Sequence, residues 1–314
     1  MPPKILVIVG PTASGKTRLA VELAHEWNGE VVSADSMQVY RRMDIGTAKP
    51  TAEEMDGIPH HMIDVADPGE DFSAARYVEM ASACVDGILA RGRLPIVAGG
   101  TGLYIDSLLS GRTFAAFSPD SPLRGELEAE LARRGGAAML EELARVDPET
   151  AARLHPNDHK RIVRALEVFQ QTGKTISQHN RETRALPLRY DALTLSLAFQ
   201  RREDMWARID RRVDEMMAAG LAEEVRALLD SGVPVRCTAM QAIGYKEMAA
   251  ALRGGGDVCA AAEEIKLRSR QYAKRQLTWF RRTEGAKWLF WGPEPDFEAA
   301  CRTSTKYLEE FGLV

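Results

Sequence analysis

An apolar run, KILVIV (residues 4–9), passes directly into GPTASGKT (10–17), and a helix-period segment, TRLAVELAHEW, follows at 17–27. No other stretch restricts the fold so tightly. Gly10, Gly15, Lys16 and Thr17 stand at the fixed places of G-x-x-x-x-G-K-[ST], and a strand before with a helix after is the context in which that pattern cradles phosphate. The glycines let successive backbone N–H groups turn inward as an anion nest, to which the helix N-terminus adds partial positive charge. Candidate phosphate ligands are therefore Gly10, Pro11, Thr12, Ala13, Ser14, Gly15, Lys16 and Thr17. Lys16 supplies a mobile cation for the outer phosphates, and the Thr17 hydroxyl is a ligand for Mg²⁺. The loop alone leaves open which molecule carries the phosphate.

Alternation of strand and helix continues through the first hundred residues. Strand-like runs at Ile5–Val9, Val31–Ala34, Met62–Val65 and Pro95–Ala98 enclose helical patterns near Thr17–Trp27 and Ala74–Arg91. This spacing predicts an α/β fold, a P-loop NTPase-like parallel sheet with helices on both faces. From about Phe117 the pattern becomes helix-period throughout, broken by Gly and Pro, until DALTLSLAF (191–199) reads as the sheet resuming. The expected organisation is a phosphate-loop core of residues 1–114 and 191–314 with an all-helical insertion at 115–190. Long helices such as EDMWARIDRRVDEMMAAGLAEEVRALLD and a short strand, KWLFW, complete the core.

Composition narrows the class. With 45% hydrophobic and 27% charged residues over 314, the chain has the balance of an ordinary globular protein. No apolar run approaches the roughly 20 residues that cross a bilayer, so no membrane partner is expected. The N-terminal apolar run leads into the phosphate loop and reads as a core strand, not a signal peptide. Cys84, Cys237, Cys259 and Cys301 are scattered without a C-x-x-C pair, which argues against zinc and against a disulfide framework and points to the cytoplasm. No long heptad seam argues for more than a monomer. The net charge of −4 speaks against nucleic acid when taken alone. The distribution speaks otherwise: between Lys266 and Arg282 there are seven Lys or Arg and no Asp or Glu.

A phosphoryl-transfer enzyme needs a second carboxylate to organise its metal. The strand best placed to supply one, LPIVAGGTGLY, ends in Gly99, Gly100 and Thr101 instead. The acid comes earlier, where Asp35 follows the second strand in VVSADSMQVY. In a doubly wound sheet the carboxyl ends of neighbouring strands open onto one crevice, so Asp35 is expected to face the phosphate loop. A turn-capping role for Asp35 and an N-cap role for Thr101 remain the competing readings. Ser36, Gln38 and Tyr40 extend the polar cluster, and Gln38 has the amide for a bidentate contact with adenine. His60 and His61 point to opposite faces of a strand and lack further ligands, so a metal role for the pair is set aside. In KLRSRQYAKRQLTWFRR, a basic helix interleaved with Tyr272, Trp279 and Phe280 is a candidate for phosphates and unpaired bases. Trp279 and Phe280 read as core residues.

The blocks GPTASGKT, SADSMQVYRRMDIGTAKP, PHHMIDVADPGEDFSAARY, GGTGLY, LHPNDHKRIVRALEV, QAIGYKE and RQYAKRQLTWFR run in order from residue 10 to 281. Together they closely resemble the bacterial tRNA dimethylallyltransferases (tRNA isopentenyltransferases, the IPP transferase family). The resemblance implies that the loop holds the diphosphate of dimethylallyl diphosphate, and that the prenyl group passes to N6 of adenine 37 of tRNA. It implies Asp35, Thr101 and Lys16 as catalytic residues, and Arg124 and Arg212 as further diphosphate ligands beside the loop and Mg²⁺. For the tRNA it implies contacts from Asp35, Ser36, Met37, Gln38, Thr101 and Gln241, from Arg270, Gln271, Lys274 and Arg275, and from His159, Lys160, Arg161 and Arg164 in the insertion. His159–Lys160 stands where the family often has Pro–Gln, which puts a specific amide contact in doubt.

Three other readings compete. A small-molecule phosphotransferase needs the missing metal acid. A prenyltransferase acting on free adenine nucleotides shares the loop, Asp35 and Thr101 but has no use for the basic segments. A guanine-nucleotide switch needs an N-K-x-D motif, which the chain lacks.

Overall fold

A computed structural model of the protein describes residues 2–111 and 122–314. The chain divides into two compact units: Met1–Leu109 with Arg189–Val314, and Ser110–Leu188. The onset expected for the insertion, at residues 115 to 117, lies outside the described residues.

The first unit is built on a parallel sheet of β1 (Lys4–Val9), β2 (Gly29–Ser33), β3 (His60–His61), β4 (Leu94–Gly99), β5 (Asp191–Phe199) and β6 (Lys287–Trp291), in the order β3-β2-β4-β1-β5-β6. Its helices are α1 (Lys16–Glu26), α2 (Ala52–Met55), α3 (Ala74–Ala90) and α4 (Gly102–Leu109). The second unit contributes α5 (Pro122–Val146), α6 (Pro148–Ala151), α7 (His159–Thr172) and α8 (Ile176–Ala185). The first unit then closes with α9 (Arg202–Ala218), α10 (Leu221–Asp230), α11 (Tyr245–Gly254), α12 (Val258–Phe280) and α13 (Phe297–Phe311).

The period of two along a strand assigns the residues of β1 to two cores. Ile5, Val7 and Val9 face one layer with Tyr77, Val85 and Ile265. Leu6 and Ile8 face the other with Leu19, Leu23, Ile209 and Leu308. Both faces of the sheet are covered, which is why its strands read as continuous apolar runs. The second unit has its own core around Leu127, Met139, Ile162 and Leu166.

Two expectations change. The third strand is His60–His61 rather than Met62–Val65, because Met62 and Asp64 take φ values of 64° and 56° and turn the chain away from the sheet. The helical stretch after residue 202 breaks at Gly220, whose φ of 99° starts a new helix. No helix among the described residues is long and apolar enough to cross a membrane.

Candidate active site

The carboxyl ends of β2, β4 and β1 meet at one edge, and backbone bonds lock them together. Ala34 N donates to Ala98 O at 2.9 Å, and Thr101 N donates to Ala34 O at 3.0 Å. This brings the residues after three strands, Gly10–Lys16, Asp35 and Thr101, to one edge although they are far apart in sequence.

The phosphate loop is held open by its backbone. Ala13 sits at φ 60° and Gly15 at φ 80°, two left-handed positions on either side of Ser14 that curl the loop so that its N–H groups turn inward. At Gly15 any side chain is excluded as well, since a Cβ would meet the Phe297 ring at 2.6 Å. Helix α1 starts at Gly15 without a side-chain cap and without an acid in its first turn. Its N-terminal donors are thus left for an external anion.

Positive charge is concentrated around this loop. Lys16 is partly buried and folds back so that Nζ donates to Pro11 O at 2.7 Å. Burial above all, then the Arg212 guanidinium, lowers the Lys16 ammonium to about 7, while Asp35 works in the opposite direction. Arg212 on α9 donates to Ala48 O at 3.4 Å. Its pKa is also lowered, by burial first, with Asp35 again opposing. One turn earlier on α9, Arg208 Nε reaches Ala13 O at 3.3 Å. The sequence reading missed Arg208, although its i, i+4 relation to Arg212 put it on the same helix face.

Asp35 does cap a turn: Oδ1 accepts from Met37 N at 2.8 Å and from Gln38 N at 3.3 Å. The turn roles do not exclude chemistry, because Oδ2 is not used by them. Thr101 Oγ1 accepts from Ser36 N at 3.0 Å, tying the end of β4 to the Asp35 turn. From the opposite side the Tyr272 hydroxyl reaches Thr101 and Gln276. Burial, and next the Asp35 charge, push the Tyr272 phenol up to about 12. Gln276 bridges the two halves of the edge. Its Oε1 accepts from Thr12 N at 2.9 Å and its Nε2 donates to Gly100 O at 3.0 Å. Tyr272 and Gln276 lie one turn apart on the inner face of α12, a role that basic composition concealed.

Gln38 is bonded within the protein. Ser33 Oγ donates to its Oε1 at 3.0 Å, and its Nε2 donates to Ala48 O at 3.1 Å. Both ends of the amide therefore have partners inside the protein, and it holds the segment that also receives Arg212. That segment is anchored from α10: Glu224 accepts from the N–H groups of Asp44, Ile45 and Gly46 at 2.8, 2.8 and 3.1 Å and from the Tyr245 hydroxyl.

The basic segment is less uniform than its sequence. Lys266 pairs with Asp214 and Glu263, Arg268 with Glu264, and Arg270 with Asp210 at 2.7 Å. Gln271, Lys274 and Arg275 line an open groove of about 410 Å³ with Thr278, Trp279 and Arg282. Trp279, expected in the core, is 40% exposed, whereas Phe280 is buried as expected. Gln241 is exposed and lines a neighbouring groove, with Nε2 bound to Val235 O at 2.9 Å.

Arg124, His159, Lys160, Arg161 and Arg164 belong to the second unit. Glu128 and Glu167 hold Arg124, and Glu167 also holds Arg164. His159, Lys160 and Arg161 are exposed in the first turn of α7, where no acid accompanies them. Cations at a helix N-terminus oppose its dipole, an arrangement suited to an external phosphate. Among the described residues no group of three or more His, Cys, Asp or Glu is arranged to hold a metal ion. His61 pairs instead with the buried Glu30.

Sheet order, loop and surrounding cations define a phosphate-loop protein of the doubly wound α/β class. The chain belongs to the IPP transferase family, whose model of that description matches residues 38–283. It is 45% identical over 309 residues to the tRNA dimethylallyltransferase of Acetivibrio thermocellus, covering 98% of both chains. It is 50% identical over 288 residues to that of Geobacter sulfurreducens, covering 91% of both. Among solved structures, the full-length tRNA isopentenylpyrophosphate transferase of Bacillus halodurans superimposes with a TM-score of 0.71 at 42% identity, covering 98% of both chains. A eukaryotic dimethylallyltransferase acting on tRNA superimposes with a TM-score of 0.80 at 29% identity, covering 98% of this chain and 78% of the other.

Proposed function

We propose that this protein transfers a dimethylallyl group from dimethylallyl diphosphate to N6 of adenine 37 in tRNA, acting as a monomer in the cytoplasm. The observation that carries the reading is the placement of Asp35 and Thr101 on the same sheet edge as a cation-rich phosphate loop. It puts a carboxylate on the same edge as a diphosphate site, close enough for its charge to act on Lys16 and Arg212.

In the reaction, the allylic C–O bond of the donor breaks and its electron pair leaves with the diphosphate. The N6 lone pair forms the new N–C bond, and the N6 proton passes to Asp35 as general base, an effect of roughly 10²–10⁴-fold for one positioned base. Negative charge grows on the diphosphate as the bond loosens, so preorganised N–H groups and cations favour the transition state over the ground state. Lys16, Arg212 and the donors of α1 fill that role. Arg208 and Gln276 hold the loop's shape through Ala13 and Thr12. Thr101 fixes the Asp35 turn against the end of β4. The role of Arg124 on the diphosphate rests on the resemblance alone.

Mg²⁺ fits the donor chemistry. The Thr17 hydroxyl makes no hydrogen bond to the described residues, and a hard cation that keeps most of its waters needs only this ligand and the diphosphate oxygens. When bound, the ion neutralises the leaving group. An adenine stacked in an RNA loop cannot reach a recessed diphosphate, so the base enters flipped. Lys274 and Arg275 on α12, and His159, Lys160, Arg161 and Arg164 on α7, take the phosphates of the anticodon stem-loop.

The test is transfer from labelled dimethylallyl diphosphate with Mg²⁺ to three acceptors: a stem-loop with adenine at 37, the same loop with guanine there, and free AMP. Label on the adenine stem-loop alone is expected. Label mainly on AMP moves the protein to nucleotide prenylation, and no label on any acceptor reopens the kinase reading.

A further inference from the structure

We propose that the groove along α12 is a second base-binding subsite, in which Trp279 stacks an unpaired RNA base that neighbours the acceptor adenine. The inference rests on the RNA-acceptor reading above and adds a site to it.

Gln271, Lys274, Arg275, Thr278 and Trp279 recur at spacings of three and four and form one stripe of the helix, which Arg282 extends just past its C-terminus, open to solvent over about 410 Å³. The opposite stripe, with Ile265, Ala273, Gln276 and Phe280, is buried. A tryptophan that is 40% exposed on the open stripe has not gone to the core for lack of anchoring. Its Nε1 donates to Asp106 Oδ2 at 3.0 Å. Its ring lies so close over Gly102 that a Cβ there would come within 2.3 Å of Cδ1. The indole is therefore fixed before any ligand arrives, and the cost of ordering it on binding is removed.

The cations around it differ from those earlier on the same helix. Lys266, Arg268 and Arg270 are paired with carboxylates, but among the described residues none pairs with Lys274, Arg275 or Arg282. A fixed aromatic plane flanked by uncompensated cations is the arrangement that holds single-stranded nucleic acid, with the base on the ring and the backbone on the charges. Gly102 follows Thr101 directly in the chain, so the subsite begins beside the hydroxyl that braces Asp35. That adjacency assigns it to a loop neighbour of the acceptor rather than to a distant part of the RNA.

The test is a cycle across the interface, read by fluorescence anisotropy. Stem-loops carrying one abasic residue at each loop position other than the acceptor are bound by the wild type and by Trp279→Leu and Trp279→Phe. Leucine keeps the packing on Gly102 and removes the ring. Trp279→Leu is expected to weaken binding of the intact loop by about 10–100-fold and Trp279→Phe by much less. One abasic position should weaken wild-type binding by a similar factor and cost nothing further in Trp279→Leu. Leucine-variant affinity within twofold of wild type, or additive penalties at every position, overturns the subsite. Failure of the wild type to prenylate any stem-loop overturns the proposed function instead, so the two failures are distinguishable.

Discussion

Lys16→Met should make the unliganded protein more stable while removing its hold on diphosphate. Lys16 has an ordinary pKa of 10.5 that the fold lowers to about 7, through burial and the neighbouring Arg212. A lysine depressed in this way destabilises the fold wherever the unfolded chain would be protonated. The cost is absent above pH 10.5, grows as pH falls, and levels off below about 7. At about 1.4 kcal/mol for each pH unit, the full cost is at most about 5 kcal/mol below pH 7 and about 1 kcal/mol at pH 9.5. Methionine keeps an unbranched apolar stem, one atom shorter, but gives up the bond to Pro11 O, worth about 1 kcal/mol. The net gain expected is about 2–4 kcal/mol at pH 6.5, or several degrees in Tm for a chain of this size, and close to zero at pH 9.5. Thermal unfolding followed by circular dichroism at both pH values measures it, with calorimetric titration of inorganic diphosphate as the functional readout. A variant no more stable than wild type at pH 6.5, or equally stabilised at both pH values, would refute the reasoning.

Binding of diphosphate by the wild type at pH 8 should take up close to one proton as Lys16 regains its charge, an uptake that Lys16→Arg should reduce; titration in buffers of different ionisation enthalpy counts it. Gln276→Met, which keeps shape but drops the bonds to Thr12 and Gly100, should raise the donor KM about tenfold with stem-loop affinity unchanged, and steady-state kinetics beside RNA binding separate the two. Glu224→Ala leaves three loop N–H groups and the Tyr245 hydroxyl without their acceptor, and should destabilise by about 2 kcal/mol or more in urea unfolding. Burial works to raise the Glu30 carboxyl, but hydrogen bonds from Arg91 and then His61 outweigh it and hold it at about 2. Since the pKa is depressed on folding, the stability it adds is present above about 4.5 and lost as pH falls towards 2. Glu30→Gln should flatten the acid limb of the stability profile in that window.

What the sequence discloses follows the range of the interactions. The phosphate loop is legible because strand, glycines and helix start are local, and Ala13 and Gly15 adopt the backbone that the motif demands. Asp35 and Thr101 are legible because both follow strands of a sheet whose order opens their ends together. The third strand is not, since nothing local marks Met62 and Asp64 as left-handed. The basic segment looks uncompensated because Glu263 and Glu264 fall just before it, and Asp210 and Asp214 lie on α9, more than fifty residues earlier; the structure shows which cations each neutralises. Trp279 and Phe280 are adjacent aromatics on one helix, so their opposite fates depend on helix phase against β4 and α4. The hydrogen bonds of Gln38 and Gln276 are not legible either, because their partners lie across a loop for Gln38 and far away in sequence for Gln276. The amide beside Asp35 turns inward to brace a loop, and an amide within the basic helix reaches the phosphate loop.

Single-turnover transfer by Asp35→Asn, at saturating donor and stem-loop, tests the central claim most directly. The account requires a rate at least about 100-fold below wild type, with the affinities for both substrates within a few-fold of normal. A rate near that of the wild type would contradict Asp35 as the base and leave it only the turn it caps.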